Sequence, residues 1–200
     1  MAHMEQVLDV YKREYNPDNP VVCMDESPEQ LIEECNSTAM EPGKEARVDY
    51  EYIRHGVANI FMANEPLNGR RMIEVTERKT KTDWANFMKR VSDEMYPQTK
   101  KITLVMDNFK THTIGAFYEA FEPVEAKRLV DRFDFVFTPK HGSWLNMAEI
   151  ELHVLNAQCL NRHIPTIEKM KTEVEAWQTH RNNIRSKYRN IQFIISFYNR

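Results

Sequence analysis

Three acidic residues stand where they could do chemistry together. Asp25 follows the apolar run Val21-Val22-Cys23-Met24, Asp107 follows the run at 101–106 (KITLVM), and Glu149 lies in the stretch TPKHGSWLNMAEIEL at 138–152. Alone, an acid after a strand commonly caps a turn, and a helix glutamate is commonly solvated. Jointly, two strand-end aspartates and a helix glutamate are hard oxygen donors suited to Mg²⁺ or Mn²⁺. Two such ions roughly 4 Å apart can activate an attacking oxygen and stabilise the leaving one at a phosphodiester. Three carboxylates brought together repel one another, so a bound cation is what makes such a cluster tolerable.

The elements that must position these acids follow from periodicity. In the 138–152 stretch Ser143 is a good N-cap, and Glu149 shares a helical face with Leu145, Leu152, His153 and Asn156. Glu151 is two residues on, about 200° around the helix, and points elsewhere. Residues 21–24, 101–106 and 133–137 read as buried strands. Residues 28–47, with Pro28, Pro42 and Gly43, read as an irregular polar excursion. The runs 48–54, 57–63 and 70–78 make an antiparallel meander, with His55-Gly56 and residues 64–69 as hairpin connections.

Helices are expected over 5–15, from a cap at Thr82-Asp83 to Pro97, over 113–133 with a break at Pro123, and over roughly 166–185. A mixed sheet flanked by helices is the economical arrangement, with a site at the ends of neighbouring central strands.

Composition narrows the class. Two hundred residues with a 42 % apolar share suit one domain with a real core. No run approaches the ~20 apolar residues of a membrane span, and the opening Met-Ala-His-Met reads as a cloning scar rather than a targeting segment. Three cysteines, Cys23, Cys35 and Cys159, lack zinc-site spacing and are expected as reduced thiols in a cytoplasm. Net charge is −3 but uneven: residues 1–51 hold 13 acids against 4 bases, and residues 161–200 hold 8 bases against 3 acids. A nucleic-acid contact at the C-terminal end is permitted, not demanded.

The segments VVCMDES, LVMDNFKTH and FTPKHGSWLNMAEIE resemble the motifs of bacterial insertion-sequence transposases related to mariner, in the DDE superfamily. The resemblance runs over about 7–181 and includes DYEYIRHGVANIFMANEPLNGRRMIEVTERKTKTDW. It implies an α/β, RNase H-like, mixed five-stranded sheet flanked by helices, with 1–200 forming a single catalytic domain. It also implies that Asp25, Asp107 and Glu149 are the catalytic acids and hold two Mg²⁺ or Mn²⁺ ions. Asn108, His112, His141 and Asn146 fall on positions the family keeps around them, and Lys140 beside His141 could meet a phosphate. The activity implied is cleavage at element ends and transfer of 3′-hydroxyls to target DNA, by a cytoplasmic, nucleoid-associated protein that could act as a homodimer, with no membrane partner. Two departures stand out. The family's N-terminal helix-turn-helix region is absent, and the tail reads Asn190-Ile191-Gln192-Phe193 and then IISFYNR. They leave open a metal-dependent nuclease of the same fold, or an inactive DNA-binding or oligomerisation remnant.

Blander readings stand beside these. His112 and His141 serve equally well as satisfied structural histidines, and Lys140 as a solvated lysine. Trp144 and Trp177 read as core, and Cys159 as a small buried hydrophobe. Arg181, Arg185, Lys187 and Arg189 form a basic helix end aligned with the helix dipole, with a DNA-backbone role as the second choice.

Overall fold

The structure is a computed structural model that describes residues 2–35, 52–108, 112–140 and 142–187. Strand β4 (Ile102–Met106) is buried at all five residues. The sheet order is β3-β2-β1-β4-β5, with β1 at Val21–Glu34, β2 at Tyr52–Glu65, β3 at Arg70–Thr76 and β5 at Phe133–Phe137. β1, β2 and β3 pair antiparallel, whereas β1–β4 and β4–β5 are parallel. This is the mixed five-stranded sheet that the resemblance implies. The segments Val21–Met24 of β1 and Ile102–Met106 of β4 are buried because helices cover both faces.

Side-chain alternation divides the core. On one face Val22, Met24, Leu104 and Met106 pack against Trp84, Phe87 and Met88 of α2 (Lys81–Arg90), Phe117 of α3 (Ile114–Ala120) and Leu129 of α4 (Pro123–Arg132). On the other, Cys23, Val105 and Val136 meet Val7 and Val10 of α1 (Ala2–Tyr11) and Met147 and Ala148 of α5 (Met147–Leu155). Beside them Ile60 and Met62 meet Leu155 together with Met170, Val174 and Trp177 of α6 (Ile167–Asn183).

Several expectations need correction. β1 does not end before Asp25 but continues to Glu34, through Pro28. The proline fits because pairing with β4 stops at Cys23–Val105, so that edge of β1 needs no further N–H donors. His55-Gly56 is not a hairpin but lies inside β2, where the register with β1 shifts between Gln30 and Ile32. Two residues of β2 there oppose one of β1, a bulge that Gly56 accommodates at φ 100°. The first two expected meander strands are therefore one, although 48–51 lie outside the described residues. The second hairpin, between β2 and β3, is found where expected.

The helix caps also move. Thr80, not Thr82-Asp83, caps α2, and Asp83 closes the reciprocal half of a capping box. Ser143–Leu145 form a 3₁₀ turn, and Asn146, not Ser143, caps α5.

Glu151 is the largest surprise among the charged residues. It is fully buried, with Arg71 Nε at 2.9 Å and Arg181 Nη2 at 3.0 Å. Both guanidinium groups also lie over the Trp177 ring, 5.8 and 5.4 Å from its centre. One cluster thus joins β3, α5 and α6. Asn182 and Gln178 of α6 then close the free edge of β3. Asn182 accepts from Arg71 N and donates to Arg71 O, each at 2.9 Å, and Gln178 accepts from Ile73 N.

Removing one member of a buried charge cluster leaves the others uncompensated. Glu151→Gln is therefore expected to destabilise the fold by about 3 kcal/mol. Urea unfolding at neutral pH checks this, and an unchanged midpoint would contradict the structural role.

Candidate active site

The parallel pairing of β1 with β4 fixes the first two acids. Val21, Val22 and Cys23 stand opposite Thr103, Leu104 and Val105. Continuing the same register sets Asp25 level with Asp107, just past the last paired rung. Both share strand parity with Cys23 and Val105, so they belong to the sheet face that α5 covers. Glu149 sits in the first turn of α5. Asp25, Asp107 and Glu149 line one open cleft of about 410 Å³, with Ser27, Glu29, His153 and Asn156 along its walls.

Asn146 ties the helix to the strand. It is fully buried; its Nδ2 donates to the Met24 carbonyl at 2.8 Å and approaches Asp25 Oδ2 at 3.4 Å. Its Oδ1 accepts from Ala148 N at 3.2 Å, which caps α5. One side chain thereby fixes the main chain that presents Asp25 and the helix turn that presents Glu149. Asp25 Oδ1 accepts the Glu26 N–H at 2.8 Å. Burial is the main cause that pushes the Asp25 carboxyl up to about 6; the Glu26 N–H opposes it and the charge of Asp107 adds to it.

Asp107 is held from behind. His112, 1 % exposed, has Nδ1 2.6 Å from Asp107 Oδ1 and Nε2 2.7 Å from Glu26 Oε2. Its Nδ1 also lies 3.3 Å from the Asp107 carbonyl. Burial disfavours the imidazolium, but the hydrogen bonds and charges of Asp107 and Glu26 outweigh it and lift His112 to about 9. A histidine this buried stands behind the acids rather than at the surface. Glu26 was not singled out in the sequence, although it directly follows Asp25; strand alternation sends it to the opposite face.

The donors fit a divalent cation. Glu149 Oε2 is shielded from solvent and receives no hydrogen bond from the described residues, whereas Asp107 Oδ1 faces His112 Nδ1 at 2.6 Å. An oxygen such as Glu149 Oε2 is costly unless something positive compensates it. Among the described residues no group of three His, Cys, Asp or Glu side chains is close enough together to hold a metal ion as they stand. The fit therefore lies in donor chemistry and a shared cleft.

Of the remaining expected residues, Asn108 and Lys140 are exposed and line a neighbouring cleft of about 560 Å³ with Asp107 and Thr138. His141 lies outside the described residues. Trp177 and Cys159 are core, as expected, but Trp144 is 40 % exposed and is not. At the basic end of α6, Arg181 lies in the last turn, as the dipole reading expects, and Lys187 is exposed. Arg181 is engaged by Glu151, and Arg185 Nη1 donates to Asn68 Oδ1 at 3.0 Å. Arg189 lies outside the described residues.

This fold and this cleft define a class, and comparison with known proteins agrees. The chain belongs to the DDE superfamily endonuclease family, which matches residues 20–171. Among solved structures it is similar to the Mos1 mariner paired-end complex with Mn, at TM-score 0.61 and 15 % identity over 89 % of this chain and 53 % of that one. It is also similar to the Mos1 strand transfer complex, at TM-score 0.59 and 12 % identity over 89 % of this chain and 52 % of that one. The paired-end complex with Mg gives TM-score 0.55 and 16 % identity over 88 % and 52 %. The chain spans about half the length of these proteins, and at such identities the likeness is one of fold, here RNase H-like. No curated protein sequence matches the chain.

Two outcomes follow from the geometry. Asn146→Ala removes a cap and leaves the Met24 carbonyl unpaired, so a loss of about 2–4 kcal/mol is expected in chemical denaturation. In EDTA, the raised Asp25 pKa means the native state holds a proton that the unfolded chain releases near 3.8. Its contribution to stability therefore falls as pH rises from about 4 to 6, by at most about 3 kcal/mol. Unfolding midpoints across that range should show this decline in the wild type and not in Asp25→Asn.

Proposed function

We propose that this chain is the catalytic domain of a DDE transposase, cutting DNA at element ends and transferring the 3′-hydroxyls to target DNA with divalent metal. The observation that carries the reading is the shared cleft of Asp25, Asp107 and Glu149, in which Glu149 Oε2 is buried without a hydrogen bond. Asp25, Asp107 and Glu149 would hold Mg²⁺ or Mn²⁺. When bound, the metal supplies Lewis acidity at the phosphodiester and activates the attacking oxygen.

The protein's own contribution is to hold these carboxylates in place. Asn146 and the Glu26 N–H orient Asp25, and the first turn of α5 orients Glu149. Lys140 and Asn108, exposed beside Asp107, would meet the phosphate backbone and leave the base sequence unread. Joining two element ends calls for two copies of the chain, so the reading includes a homodimer. It also includes a chromosomal location, the nucleoid where the host is bacterial. No described helix is long and apolar enough to cross a membrane.

A supercoiled plasmid incubated with Mn²⁺ tests the chemistry. Nicking is expected from the wild type and not from Asp25→Asn, Asp107→Asn or Glu149→Gln. Nicking without joining of a pre-cut 3′-end would favour the nuclease reading, and no nicking by folded protein would favour the inactive remnant. DNA binding should be weak and fall steeply with salt. Lys140→Ala should make the log–log slope shallower by about 1, the share of one phosphate contact. Arg181→Ala should leave that slope unchanged.

A further inference from the structure

Beside the three acids lies a pair of buried groups that the metal chemistry does not itself use. Glu26, which borders the cleft, and His112 have side chains 6 % and 1 % exposed, bonded to one another at 2.7 Å, and Lys79 Nζ lies 4.0 Å from the other oxygen of Glu26. Glu26 follows Asp25 along β1 and faces the opposite side of the sheet, where Trp84 and Phe61 build the core. A carboxylate there is costly unless paired. His112 packs against Trp84, with ring centres 5.6 Å apart, so its plane is set by the core and not by the cleft. From that fixed plane one nitrogen faces Glu26 and the other faces Asp107.

The geometry points to Glu26 as a positioning residue for Asp107, acting through His112. This rests on the metal-binding reading of the site. The chain Glu26–His112–Asp107 passes around the end of β4, from the core-filled face of the sheet to the cleft. Asp107 needs such a support more than its partners do. Asp25 lies within β1, and Glu149 lies within a helix, but Asp107 falls one residue beyond the last strand residue of β4. Its side chain is 37 % exposed, yet Oδ1 is buried against the imidazole. His112 therefore turns one oxygen inward and leaves the rest of the carboxylate to the cleft. Glu26 anchors the imidazole by its far nitrogen; without it the ring would keep its packing but lose one of the two carboxylates that hold it in place. A carboxylate–imidazole pair placed behind a ligand is a recurrent means of holding that ligand in orientation.

The test is Mn²⁺ affinity of the DNA-free protein, read by electron paramagnetic resonance or calorimetry, with the metal-free unfolding midpoint measured on the same samples. Glu26→Gln keeps the size and one hydrogen bond to His112 but removes the charge. It is expected to fold and to bind Mn²⁺ ~10- to 100-fold more weakly, the usual cost of losing a partner behind a metal ligand. His112→Gln should weaken binding similarly, and the double variant should be no worse than the poorer single one, because both act through one chain. Should His112→Gln fail to fold, Glu26→Gln alone decides. Wild-type affinity in folded Glu26→Gln, alongside lost binding in Asp107→Asn, would overturn the proposal and leave the metal reading intact. Binding by neither wild type nor variants at millimolar Mn²⁺ would overturn both.

Discussion

Carboxylates crowded at one end of a sheet repel one another, and this repulsion is the constraint around which the structure is arranged. Asp25 and Asp107 are set level by a parallel register, and Glu149 is brought over them by α5. Burial and the neighbouring Asp107 raise Asp25 to about 6, the mark of a site that disfavours its own charge. A fold left to relax would turn these side chains out to solvent. Here Asn146 clasps the main chain before Asp25, while His112 sits behind Asp107. The apolar contacts of Met147 and Ala148 with Cys23 and Val105 hold α5 against the strands that carry the aspartates. Packing energy thus sustains an electrostatic arrangement that a divalent cation would relieve.

The same logic explains why two glutamates two residues apart behave differently. Glu149 has an oxygen without a partner at the cleft, whereas Glu151 is fully neutralised by Arg71 and Arg181. Helical geometry separates them by about 200°, so one turn of α5 serves the cleft and the α6 cluster at once. Arg181 is consequently a structural cation, and the basic character of the C-terminal helix overstates the charge left for DNA. Lys140 and Asn108, beside Asp107, are better placed for that contact.

Much of this was legible in the residues. The strands at 101–106 and 133–137 announced themselves as short apolar runs, and the acids after or beside such runs marked the cleft. The direction in which Glu149 points followed from spacing alone. What could not be read depended on partners distant in sequence. Pro28 looks like a breaker until β4 is seen to have stopped pairing five residues earlier, at Cys23 opposite Val105. Gly56 looks like a turn until its neighbour strand supplies the opposing residue of a bulge. Ser143 is the better-looking cap, but Asn146 alone can cap α5 and also reach the Met24 carbonyl, 122 residues away. The partners of Glu151 and the link from Glu26 to His112 were invisible for the same reason.

The central claim is that Asp25, Asp107 and Glu149 form a divalent-cation site. Crystals soaked in Mn²⁺ and measured at the manganese edge would test it most directly. The account predicts anomalous density in the cleft, about 2.0–2.6 Å from carboxylate oxygens of Asp25 and Asp107, the range of hard-cation oxygen bonds. Density confined to surface acids such as Asp93 and Glu125, with none between the two aspartates, would contradict it.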